Sequence, residues 1–251
     1  MSAADVGAGS RLARSEGRLF DDRSAQLDRF GPVLGLTILA VGTMSLVDLR
    51  DPAEEALGKV VATSVGLLIG LTLLLALRAS GVARRWRRLA DALFVLASVF
   101  SLGTLAVSLA AGAELSTFSS GHPSPIWVAI ALVTPLAVIR RLVKHPRVTR
   151  ATLVGAVAAY LLIALAACYV FLLVDGAQSE PFLTGPDAEA STSFMYFSLV
   201  TITTTGYGDL AATTPLDRLL ATGEAVVGQV YLVTFVATLV GLLIRHRPEK
   251  L

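Results

Sequence analysis

Residues 191–209 read STSFMYFSLVTITTTGYGD, an apolar stretch running straight into a glycine-bearing loop. The apolar part, 191–203, is about 13 residues long, whereas a helix needs roughly 20 mostly apolar residues to cross a bilayer. Longer apolar runs flank it at 152–174 and 216–244. The layout predicts a short re-entrant helix between two spans, returning through Gly206 and Gly208. Non-helical backbone at membrane depth is tolerated only where protein encloses it or water bathes it.

Composition points the same way. The chain has 251 residues, 54% apolar and only 16% charged, with a mean hydropathy of +0.70; a soluble domain carries about 25% charged residues. This excludes a disordered chain, a fibrous repeat and a basic nucleic-acid binder. Apolar runs predict spans at 31–49, 60–78, 89–112, 125–143, 152–174 and 216–244. The fold class expected is therefore an all-α integral membrane protein, with six transmembrane helices and a re-entrant helix and loop between helices five and six. Cys168 stands alone, and His122, His145 and His246 lie far apart, so neither a disulfide nor a ligand-spaced metal pair is expected. The polar stretch before residue 31 has no early apolar core, so no cleavable signal peptide is expected. Residues 11–30 mix Leu12, Leu19, Phe20, Leu27 and Phe30 with charges, and read either as an interfacial helix or as plain disorder.

The placement of Lys and Arg orients the chain. The N-terminal stretch, the segments after spans two and four, and the C-terminal tail together hold 18 of the 21 basic residues; Arg50, Lys59 and Arg218 fall on the other side. Both termini are expected in the cytoplasm of a multi-pass protein of the cell membrane, the plasma or inner membrane. Between 175 and 217 lie six carboxylates (Asp175, Glu180, Asp187, Glu189, Asp209, Asp217) and no Lys or Arg. They read as a cation-attracting mouth or, for 175–189, as an ordinary acidic loop.

Thr203-Thr204-Thr205-Gly206-Tyr207-Gly208-Asp209 resembles the selectivity filter of potassium channels, whose usual form is T-V-G-Y-G-D. The resemblance covers about 150–245; residues 31–150 match only in span count. It implies passive K+ conduction through a homotetramer, with no enzymatic chemistry and no cofactor beyond the transported ion. In that family, rings of backbone carbonyls from four chains replace the hydration shell of K+. Here Thr204, Thr205, Gly206 and Tyr207 would supply them, with a hydroxyl ring from Thr204 at the inner end. Carbonyls aim at one axis only when the backbone alternates in handedness, hence glycine at 206 and 208. Asp209 would sit at the mouth, and Tyr207 would pack outward against the aromatics Tyr196 and Phe197. The short helix would turn its partially negative C-terminal end toward the ion.

The last span resembles the family's inner helix. Gly228 stands where the family places a gating hinge, or else simply permits close packing. Gln229, Leu232 and Val236 share a helical face and would line the cavity. Glu224 is ionisable within the membrane, by default a functional position; it would brace the filter from behind, and its partner is not legible. Gly206-x-Gly208-x-x-Ala211 also fits a dinucleotide fingerprint, but a membrane span follows where that motif needs a soluble βαβ unit.

Three departures stand out. Residue 205 is Thr where Val is usual, which leaves the strictness of potassium preference open. Position 200 is Val, so the pore-helix carboxylate of some bacterial channels is missing. The fourth span, PIWVAIALVTPLAVI over 125–139, has no charge and is interrupted by Pro135, so it is not expected to sense voltage. The organisation expected is a cytoplasmic segment 1–30, a four-helix membrane domain 31–150, a pore module 151–245 and a short tail 246–251 with no ligand-binding domain. Partners expected are K+, membrane lipid and three further copies, with a separate regulatory subunit left open and no nucleic acid. The rivals are a weakly selective monovalent cation channel and a secondary transporter, the latter disfavoured because only one half has a re-entrant segment.

Overall fold

The computed structural model describes residues 30–46, 55–79, 84–111, 123, 125–143 and 149–245. The interfacial-helix expectation for 11–30 and the tail 246–251 lie outside them, apart from Phe30. In chain order the elements are α1 (Phe30–Leu46), α2 (Glu55–Ala79), α3 (Arg84–Ala111), α4 (Pro125–Val143) and α5 (Arg150–Ala177). Then come β1 (Leu183–Thr184), α6 (Ser191–Ile202), β2 (Ala211–Ala212), α7 (Pro215–Val230), a π-helical segment Tyr231–Val236, and α8 (Ala237–Arg245).

Among the described residues, three helical runs are long and apolar enough to cross a membrane: Pro125–Val143, Ala151–Ala177 and Pro215–Leu242. The other expected spans are helical where described. α1 has 17 residues, at the lower end of the roughly 17–25 that a crossing uses.

α5 is the hub, packing against α1, α4, α6 and α7. Its buried surface is rich in alanine (Ala156, Ala158, Ala159, Ala164, Ala166), and small side chains let neighbouring helices approach closely where lipid removes the hydrophobic drive between helices. Thr149 starts α5 with a capping box, accepting from Thr152 N–H while Thr152 accepts from the Thr149 N–H. Trp127 of α4 fills the place a Cβ on Gly70 would occupy and meets Phe94 edge-to-face, tying α2, α3 and α4 together.

α4 runs unbroken through Pro135, where the sequence predicts an interruption. Proline removes one helix hydrogen bond, but in a buried apolar bundle neighbouring helices and Ser/Thr hydroxyls offset that loss. Here Pro135 is buried, as is Ala131, whose carbonyl it leaves without an amide donor; the Thr134 hydroxyl donates one position earlier, to Ile130 O at 2.7 Å.

Candidate functional site

α6 ends at the loop 203–209, and the loop's own amides close the helix. Thr203 N–H donates to Leu199 O, Thr204 N–H to Thr201 O at 2.9 Å and Thr205 N–H to Val200 O at 2.9 Å. Tyr160, reaching across from α5, donates its hydroxyl to Ile202 O at 2.8 Å. Each carbonyl of the last turn thus already accepts a hydrogen bond. The attraction of a free helix terminus for a cation resides in unsatisfied carbonyls, so at α6 it is weaker than an open helix end would supply.

Beyond the helix the backbone alternates. Thr204, Gly206 and Gly208 have φ of 56, 57 and 81°, whereas Thr205 and Tyr207 between them do not enter the positive region. Glycine adopts such angles freely. Threonine does not, since a Cβ in the left-handed region costs roughly 1–2 kcal/mol, and Thr204 is held there by what surrounds it. Its hydroxyl donates to Thr203 O at 2.7 Å and accepts from Gln229 Nε2 at 3.1 Å. Thr205 Oγ1 lies 2.9 Å from Thr203 Oγ1, which donates to Leu199 O. The hydroxyl at position 205 is therefore tied back to the helix.

At the far end of the loop, Tyr196 donates its hydroxyl to Asp209 Oδ2 at 2.8 Å and stacks on Tyr207, with ring centroids 6.4 Å apart and planes 4° from parallel. That bond to Asp209 holds the Tyr196 phenol above its ordinary pKa. Tyr207 is otherwise 71% exposed. Phe197 turns the other way, packing edge-on against Phe171 of α5, so the two neighbouring aromatics part company: one faces the loop, the other the core.

The segment after the loop is clamped by the one before α6. β1 pairs antiparallel with β2, Leu183 opposite Ala212 and Thr184 opposite Ala211. Gly185, at φ 135°, lies so close that a Cβ would sit 2.2 Å from the Asp209 carbonyl oxygen. Asp217 is fully buried and belongs to a helix cap: with Pro215 at the first turn of α7, it accepts from Thr214 N–H at 3.0 Å and from Gln178 Nε2 at 3.2 Å. Asp175 accepts from Phe182 N–H at 2.8 Å. Two of the six carboxylates expected at an acidic mouth thus hold backbone instead.

On α7, Glu224 is buried beside Ser198 of α6, 2.6 Å from its hydroxyl, and Ser198 Oγ also reaches Ala164 O at 2.8 Å. Three helices meet there. Gly228 packs on the base of α6, where a Cβ would lie 2.5 Å from Ile202 Cγ1 and 2.9 Å from Ile202 O. Gln229 and Leu232 are exposed, while Val236 is half-buried against the core. The π-helical segment begins at Tyr231, so the even helical spacing of those three positions does not persist through it. Tyr231 stacks on Tyr160 and donates to Ala156 O at 2.9 Å, and Thr234 donates its hydroxyl to Val230 O.

The helix–loop–helix unit from α5 to α8 is the decisive feature. Residues 157–245 match the model of a family described as ion channel. Neither the curated proteins nor the solved structures give a match. The match to an ion-channel domain, together with the apolar helices, supports ion conduction across a membrane and points to transport rather than catalysis. Of the expected site residues, the structure brings together Thr204, Thr205, Gly206, Tyr207, Gly208, Asp209, Tyr196 and Gln229, whereas Glu224 meets Ser198 and Gly228 packs on Ile202 of α6. Sequence reasoning missed Tyr160, Ser198 and Gly185. Gly185 carries the one usable signal, a glycine in a short loop between two spans.

Proposed function

We propose that the chain is a potassium-selective channel, conducting passively as a homotetramer whose filter is the loop 203–209. The observation that carries this reading is the alternation of φ at Thr204, Gly206 and Gly208. Alternating handedness turns successive peptide carbonyls toward one side, and four such strands around an axis make stacked oxygen rings able to replace the water around K+. Thr204 adds its hydroxyl at the inner end, and Asp209 marks the outer mouth. Asp209 is positioned by Tyr196, while Glu224 and Gly228 support the filter from behind. In the cell membrane the proposed topology has six spans, both termini cytoplasmic and α6 re-entrant.

The uncovered surface supports assembly. Leu219, Val226, Val227, Val230 and Val233 of the last apolar run are exposed in a single chain, as is Tyr207. Apolar surface of this kind, next to loop backbone that must be enclosed at membrane depth, is what neighbouring copies would cover.

Reconstitution into liposomes tests the proposal. Wild type should carry K+ flux. Gly206→Ala should abolish it, because alanine is strained at φ 57° by about 1–2 kcal/mol in each of four chains. An inert wild type overturns the reading. The hydroxyl at Thr205 favours a second reading, a monovalent cation channel of low selectivity; reversal potentials in mixed K+ and Na+ separate the two.

A further inference from the structure

We infer that Gln229 is a positioning residue for ion selectivity: its side-chain amide fixes the Thr204 hydroxyl so that only a lone pair, never the proton, faces an arriving cation. The inference rests on the channel reading above and adds a role for a residue that reading places only on the cavity wall.

A hydroxyl has one proton and two lone pairs. At Thr204 the proton is committed to Thr203 O, 2.7 Å away, and one lone pair receives the Gln229 Nε2 proton at 3.1 Å. A single lone pair is left, and a lone pair is what a cation coordinates. Without the amide, the hydroxyl rotates between that state and one that donates to cavity water and turns its positive end toward the ion. Reach is set one residue earlier. Gly228 lets α7 approach the base of α6 so closely that any Cβ would overlap Ile202, and this approach brings the next residue, Gln229, within hydrogen-bonding distance of the loop. Thr204 itself sits at φ 56°, so its side chain is held by the backbone on one side and by the amide on the other.

The test uses the full chain in liposomes and reads the K+ over Na+ permeability ratio from bi-ionic reversal potentials. Gln229→Met keeps length and removes the donor. The loss of one hydrogen bond should lower the ratio by about fivefold, with the amount of tetramer unchanged by gel filtration. Thr204→Val removes the hydroxyl, and in that background Gln229→Met should change nothing further, because a residue acting through the hydroxyl has no route left. Gln229→Ala serves as a second donor-free variant should the Met variant assemble poorly. A selective wild type with an unchanged ratio in both donor-free variants overturns the inference alone, as does an undiminished effect in the Thr204→Val background. A wild type that conducts no K+ overturns the channel reading and the inference with it.

Discussion

Ser198 Oγ lies 2.6 Å from Glu224 Oε1 and 2.8 Å from the carbonyl oxygen of Ala164, joining α6, α7 and α5 at one buried point. The serine has one proton for two acceptors, and Glu224 Oε2 has no partner among the described residues. The junction closes when Glu224 is itself protonated and donates to Ser198, which donates on to Ala164. An amide performs the same task. Glu224→Gln should therefore leave flux and thermal stability close to wild type, whereas Glu224→Ala should destabilise each chain by about 1–3 kcal/mol through the lost buried bond. Melting of the purified protein checks this, and a Gln variant as unstable as the Ala variant refutes the proton assignment.

Tyr160 supplies the hydrogen bond that finishes α6, to Ile202 O. Tyr160→Phe keeps the stack on Tyr231 and leaves that carbonyl unpaired, at a cost of about 1–3 kcal/mol. The expected result is a lower melting temperature with the helix content by circular dichroism intact. Equal melting of the two proteins would show that water or lipid satisfies the carbonyl instead.

Gly185 and Asp209 are in contact through backbone alone. Gly185→Ala must displace the Asp209 carbonyl, since the added carbon would stand 2.2 Å from it at a φ of 135°. Strain of this kind is of order 1–3 kcal/mol, so the outer end of the loop should shift. Loss of K+ flux with normal membrane insertion is expected; full flux would mean the loop adjusts without moving the proposed filter.

The Tyr196–Asp209 bond predicts a pH dependence with a definite sign. Donating to the carboxylate raises the phenol's pKa, so the stabilisation is complete below the ordinary tyrosine value of about 10 and disappears as pH rises past the raised folded value. Wild-type flux should hold through neutral pH and decline in strong alkali. Tyr196→Phe should show weaker outer-mouth stability at pH 7 and no such further decline. Parallel alkaline profiles in the two proteins would remove Tyr196 from the proposed pore mouth.

Much of the domain was legible because its signals are local. The shortness of 191–203 separates α6 from its neighbours, and the glycines at 206 and 208 mark a backbone needing positive φ. Extending that alternation one step inward would have pointed to Thr204, but a threonine gives no compositional hint of a left-handed angle. Asp217 reads as one more acidic residue of an outer loop, yet its spacing three after Thr214 makes it a capping-box acceptor buried under Gln178.

The sequence alone determined a membrane chain, the order of its helices, and a short helix delivering a glycine loop, because hydrophobic run length and tolerance of positive φ are properties of the local chain. Tertiary structure decided the partners: Ser198 for Glu224, Tyr160 for the end of α6, Gly185 against Asp209, and Gln229 against Thr204. These residues lie 24 to 42 positions apart in the chain. Which of them meet depends on how helices dock at alanine- and glycine-lined faces, and linear spacing does not carry that information.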